Sequence, residues 1–219
     1  SYYLEDTGKG CFIGCHVKGR YPELLSGMYG IPRPLIAILE SIFEGLHHTE
    51  AQQFFSDIPE AIDVNGKDLS LVHWKFLAQI LKCMPKQAKA VQEPIDVVIA
   101  GVTKLANGEE WATASAAAYA TYGAHTAAAA DGNYAIARAA EAVYIIADAA
   151  HDYASNTDTV ANDLDYALDA ATEAISLDYA LDAAMEDASR RDEYGTREEQ
   201  AALILKLIKD APVTRLTHD

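Results

Sequence analysis

The sequence predicts a mainly α protein in which a small irregular N-terminal part, with a β-hairpin, packs on an Ala-rich antiparallel helical bundle. Three observations carry this. Gly8, Gly10, Gly14, Gly19, Gly27 and Gly30 punctuate the opening residues, which show no helical period and favour turns and short strands. Leu35, Ile38, Leu39, Ile42, Phe43 and Leu46 recur on one side at helical spacing. From Trp111 to Ala188 the chain is mostly Ala, Asp and Tyr, holds no proline and is interrupted by glycine only at Gly123 and Gly132. Alanine has the highest helix propensity, so that stretch should be helical.

Taken in order, Cys11-Phe-Ile-Gly-Cys-His-Val17 reads as a short strand or hairpin arm. Ile31-Pro-Arg-Pro34 opens the first helix, whose end suits Gly45 and His47-His48. Thr49-x-x-Gln52 has the spacing of a capping box before a short helix with Phe54 and Phe55. Asp57 to Asp68, with Pro59 and Asn65-Gly66, reads as a loop. A helix from about Leu69 to Met84 should bury Trp74, Leu77, Ile80 and Leu81. Ile95, Val98, Ile99, Val102 and Leu105 fit a helical face, with a strand left open by the β-branched run. Asn107 and Glu110 are placed to cap the Ala-rich region, which Asp131-Gly-Asn133 and Ser155-Asn-Thr-Asp158 divide into helices near 109–130, 133–154 and 159–190. Thr196-x-x-Glu199 introduces a last helix with Leu203, Ile204, Leu207 and Ile208 inward, ended by Pro212.

One repeat is explicit: Leu-Asp-Tyr-Ala-Leu-Asp-Ala occurs at 164–170 and 177–183. Thirteen residues at roughly 100° each leave the copies about 220° out of phase, so one long helix would face two neighbours. Duplication within a low-complexity gene is the competing explanation.

With 219 residues, the chain divides by composition into an N-terminal part, 1–108, and an Ala/Asp/Tyr-rich bundle, 109–219, expected to form one compact unit. Residues 1–108 hold 10 basic and 12 acidic side chains, net −2; residues 109–219 hold 7 and 21, net −14. The acidic half should repel nucleic-acid polymers and anionic membranes, so an anionic ligand belongs to the first half. The uncharged run Trp111–Ala130 approaches the length of a membrane span but is too weakly apolar to insert. Three cysteines, an odd count, without a basic n-region and apolar h-region at the start, suit a reducing cytoplasm.

The densest reactive cluster is Gly10 to Arg20. Cys11 or Cys15 could act as a nucleophile with His16 as base, because neighbouring cations depress a thiol pKa. The competing reading is that both cysteines are small core residues. A Cys11–Cys15 disulfide is disfavoured in an extended segment, where four residues span about 13 Å against about 5.5–6 Å in a disulfide. Zinc wants four ligands, and only Cys11, Cys15 and His16 cluster; no metal and no cofactor is expected. Lys9, Lys18, Arg20, Tyr21, Arg33 and Trp74 are candidates for an aromatic, cationic ligand pocket, against the alternative of scattered surface charge. Glu40 and Glu44 share a face opposite the 35–46 stripe and read as solvated; Glu44-x-x-His47 has the spacing of di-iron bundles but stands alone. Glu141, Asp148, His151 and Asp152 form a further metal candidate, and His151-Asp152 is similar to the His-Asp pair of metal phosphohydrolases. Asp165, Asp169, Asp178 and Asp182 read as the wet side of an amphipathic helix.

Gly10-Cys-Phe-Ile-Gly-Cys15, Gly30-Ile-Pro32 with Leu35 and Leu39, Ile42-Phe-Glu-Gly-Leu46, the Ala/Tyr/Asp-rich tail and Leu207-Ile-Lys-Asp-Ala-Pro212 together resemble a loosely defined family of uncharacterised bacterial and phage proteins. The resemblance spans most of the chain and transfers no activity residue by residue. Phage carriage implies a counter-defence role. The basic and aromatic content of residues 1–90, the rigid helical scaffold and the lack of a complete catalytic set point to a non-enzymatic binding protein, whose sharpest form, with the phage resemblance, sequesters a small nucleotide-derived signal. Alternatives are a cysteine-dependent enzyme and a structural helical homo-oligomer built through the Ala-rich helices.

Overall fold

A computed structural model of the chain describes residues 3–4, 6, 9–18, 21–62, 66–84, 86–87, 89–130, 134–152, 163, 166–167 and 196–213. It is mainly helical. Two short strands, β1 (Tyr3–Leu4) and β2 (Lys9–Gly10), pair antiparallel with Tyr3 opposite Gly10 and Leu4 opposite Lys9. The N-terminal part thus holds a hairpin, but not where it was expected, because it ends before Cys11. The segment read as a strand is α1 (Phe12–Val17). Cys11 has extended backbone and its sulfur accepts the Gly14 N–H at 3.4 Å, so it acts as a helix N-cap.

A second helix, α2 (Pro22–Tyr29), also lies where turns were expected. Pro22 sets φ at its first position, and Gly30 at φ 66° closes it by donating its N–H to the Ser26 carbonyl at 2.9 Å. The apolar stripe forms α3 (Arg33–Gly45), with Leu35, Ile36, Ile38, Leu39 and Ile42 buried. Phe43 and Leu46, placed in that stripe by spacing, are only half-buried.

The next helix, α4 (His48–Ile62), corrects two expectations. Thr49 lies within it and not at its cap, and residues read as loop continue it past Pro59. An interior proline costs about 3 kcal/mol, whereas burying an Ile returns about 1.5–3 kcal/mol. Ile58 and Ile62 are both buried, so packing outweighs the local penalty.

Next comes α5 (Val72–Lys82), which is apolar nearly all round and buries Val72, His73, Trp74, Phe76, Leu77, Ile80 and Leu81. The β-branched run is helical, within α6 (Lys89–Ala106). Asn107 and Gly108 stop α6 instead of capping its successor. Gly108 (φ 77°) donates to Leu105 O at 3.0 Å and Glu109 to Lys104 O at 3.0 Å, a Schellman motif. The following helix, α7 (Ala114–Ala130), pairs with α8 (Tyr134–Asp152), and both pack on α6. Ala139, Ala142, Val143, Ile146, Ala147 and Ala149 are buried in α8, where small side chains allow close approach. Among the described residues no helix is long and apolar enough to cross a membrane. The repeat, apart from Tyr166 and Ala167, lies outside the described residues, as do the break at 155–158 and the aspartates at 165, 169, 178 and 182.

The last helix, α9 (Arg197–Lys209), has the expected capping box: Thr196 Oγ1 accepts from Glu199 N at 3.2 Å, and Glu199 Oε2 accepts from Thr196 N at 3.0 Å. It packs on α3, α4 and α5, joining the core of the first half of the chain. Lys67 Nζ donates to the Ile208 and Lys209 carbonyls at 3.2 and 2.5 Å, placing a cation at the negative end of α9. One contiguous apolar core runs from Cys11 to Ala211.

Candidate functional site

The hairpin, α1, α3 and α4 enclose an open cavity of about 860 Å³. Phe43, Leu46, Ala51 and Phe55 give it an apolar floor; Tyr3, Glu44, His48, Gln52 and Ser56 supply polar groups, and Gly10 and Cys15 border it. The rings belong to a continuous cluster behind the floor. Phe12, fully buried, lies with its ring centroid 4.6 Å from His16, 5.9 Å from Phe43 and 6.2 Å from Phe55. His16 meets Phe55 at 4.0 Å and Tyr29 at 6.3 Å.

The sequence-predicted reactive trio, Cys11, Cys15 and His16, sits together on α1, and each group engages the backbone. Cys11 is buried and caps the helix. Cys15, half-buried, donates its S–H to Gly10 O at 3.3 Å. Burial, with Cys11 beside it, raises the Cys15 pKa, the reverse of an activated thiolate. His16 Nδ1 lies 3.0 Å from Phe12 O; a carbonyl only accepts, so Nδ1 carries the proton. Burial lowers the His16 pKa and favours the neutral ring. All three cysteines are free thiols.

Of the six ligand-binding candidates, four have described side chains, and these stand in different settings. Trp74 is 2% exposed and packs on His73 within α5, so it is a core residue, because a helix buried all round leaves its indole no open face. Arg33 pairs with Glu23 at 3.3 Å beside a shallow groove formed with Ser26 and Gly27. Lys18, at φ 49° in the left-handed region, and Tyr21 are exposed. The side chain of Lys9 and all of Arg20 lie outside the described residues.

Glu40 and Glu44 do not form a simple solvated face. Glu40 is half-buried, and the Cys11 sulfur and a carboxylate oxygen of each glutamate lie within 4.8 Å of one another. A thiolate and two carboxylates make three ligands, one short of a closed zinc site. Glu141, Asp148, His151 and Asp152 show no comparable convergence among the described residues.

Spacing assigned Phe43 to the apolar stripe, placed His48 at a helix end and Gln52 in a capping box, and gave no functional signal for these or for Ser56. Adjacent Phe54 and Phe55 did hold one: neighbours on a helix point about 100° apart, so one must leave the core. Phe54 is buried and Phe55 turns to the cavity. No family model, curated protein or solved structure matches this chain.

Proposed function

We propose that the chain is a non-enzymatic binding protein whose small ligand places a planar ring on Phe43 and Phe55. The observation that carries this reading is the cavity itself. Its volume of about 860 Å³ lies within the range of about 300–1,000 Å³ usual for small-molecule sites. Its apolar floor and few hydrogen-bonding groups suit a ring with polar edges. Cys15, at its border, has a pKa raised by burial, which does not favour the cysteine-enzyme alternative.

Sequestration of a nucleotide-derived signal, as the phage resemblance implies, is the sharpest form. Ring stacking contributes about 1–3 kcal/mol per base. A phosphate would meet the first turn of α4, where the helix dipole contributes about 0.3–1 kcal/mol. Glu44, which also lines the cavity, opposes it. Base recognition therefore outranks phosphate recognition here.

Calorimetry against nucleobases, nucleosides, cyclic nucleotides and ADP-ribose derivatives tests the reading. At least one should bind, and Phe55→Ala should weaken it by about 5- to 150-fold, the equivalent of one stacked ring. If none binds, the nucleotide form fails. Tight binding that Phe55→Ala leaves intact would move the site elsewhere.

A further inference from the structure

A second cavity lies in the acidic half, on the α7–α8 pair, and its chemistry is opposite to that of an anion site. It measures about 340 Å³ and is lined by Tyr122, His125, Tyr144 and Tyr166, with carboxylates from Glu141 and Asp163. We propose that it binds a small organic cation of the alkylammonium class. This inference is independent of the first cavity and of its ligand.

Three phenol rings wall the space, with Tyr122 and Tyr144 at 5.3 Å between centroids and tilted by 56°. Aromatic faces attract cations within about 6 Å. The chain already uses this contact on one of the lining rings, where the Arg138 guanidinium sits 5.9 Å from the Tyr166 ring centroid.

The carboxylates divide their tasks. Glu141 Oε2 pairs with Arg138 at 2.5 Å, and its Oε1 accepts the Tyr166 hydroxyl at 3.2 Å, so its charge is largely answered within the protein. Asp163 is the remaining lining carboxylate. Asp148 and Asp152 lie near enough to raise its pKa, after burial as the larger cause. An incoming positive charge relieves that repulsion. His125 adds an acceptor: its Nδ1 lies 3.0 Å from Ala137 O and must donate there, which leaves Nε2 with a lone pair in the neutral ring.

Size and spacing favour an organic cation over a bare metal ion. Among the described residues, only Cys11, Glu40 and Glu44 bring three ligand atoms within 4.8 Å of one another. Here the carboxylates are spread around aromatic walls, an arrangement for a cation with an apolar body and N–H donors. The volume, near the lower limit of about 300 Å³ for ligand pockets, restricts it to a few heavy atoms.

The test is calorimetry on the full chain in about 0.15 M salt, where surface charge is screened beyond about 8 Å. n-Butylammonium and tetramethylammonium are the probes, n-butanol is the neutral isostere and magnesium is the simple cation. n-Butylammonium should bind once per chain, and n-butanol should not. Tyr122→Leu changes an exposed residue and should preserve the fold. Loss of its ring should weaken binding by about 2- to 30-fold, the range of one cation–π contact. Asp163→Asn should weaken n-butylammonium by tenfold or more, whereas Asp96→Asn, an exposed acid on α6, should leave it unchanged. Tetramethylammonium weaker than n-butylammonium supports N–H donation to Asp163 and His125; equal binding overturns that part and leaves only the aromatic walls. Unsaturable binding, equal binding of n-butanol, full competition by equimolar magnesium, or indifference to both site variants overturns the proposal.

Discussion

Gly101→Ala separates local propensity from tertiary packing. In a helix interior, alanine is favoured over glycine by about 1 kcal/mol, so α6 viewed alone predicts a more stable protein. The structure predicts the opposite. After the reversal at Gly108, Trp111 lays its indole on Gly101, and a Cβ there would lie 2.0 Å from Trp111 Cε2. No rotamer adjustment of a few tenths of an ångström absorbs that overlap, so the ring must leave. Trp111 is half-buried. Releasing about 100 Å² of apolar surface at about 25 cal/mol/Å² costs about 2.5 kcal/mol. Set against the helix gain of about 1 kcal/mol, the net loss is about 1.5 kcal/mol, or about 3–6 °C in Tm. Gly123→Ala in α7 is the control, because a Cβ there meets nothing within 4 Å; it should gain up to about 1 kcal/mol. Urea unfolding of both variants, with Gly101→Ala repeated in a Trp111→Ala background, measures the difference. In that background the substitution should turn stabilising. A Gly101→Ala protein as stable as Gly123→Ala would refute the packing reasoning.

Four further outcomes follow from the same structure. Burial lowers the His73 pKa from 6.5 to about 3. The unfolded chain therefore takes up a proton below 6.5 that the folded chain refuses, so the contribution is full above 6.5 and declines as pH falls toward 3. Between about pH 7 and about pH 5, wild type should lose about 2 kcal/mol more than His73→Phe, read as the difference in unfolding free energy; parallel pH profiles would contradict the burial assignment. Cys15 should react with iodoacetamide at neutral pH more slowly in the folded than in the urea-unfolded protein, because its thiol pKa is raised; faster folded-state labelling would restore the enzyme alternative. Thr196→Ala removes the α9 cap and should cost about 1 kcal/mol in urea unfolding, with an unchanged midpoint counting against the capping box. Lys67→Met withdraws the cation from the α9 carbonyls and should cost about 1 kcal/mol, a loss that vanishes if those bonds do not form in solution.

Much of the fold was legible in the residues because helix formation is largely local. The 35–46 stripe, the apolar run in α5 and the Thr196–Glu199 box each state their structure within a few turns. Local reading failed where a side chain took an unexpected backbone role. Cys11 served as an N-cap in place of a strand residue, and Asn107-Gly108 closed a helix in place of opening one. It failed again at Pro59, where burial of Ile58 and Ile62 overrode a strong local penalty.

The sequence by itself determined that the protein is mainly helical and that its acidic charge gathers in the second half. It marked apolar residues as inward but not what they would meet. Only the tertiary structure decided that Cys15 and Glu44 border one cavity with Phe55, that Cys11 faces Glu40 and Glu44, and that α9 packs on α3 to α5. The physical reason is the range of the interactions. Periodicity and capping act over one to three turns, whereas a cavity depends on which helix faces pack together after the chain reverses. Lys67 capping a helix that ends 142 residues later is of that second kind.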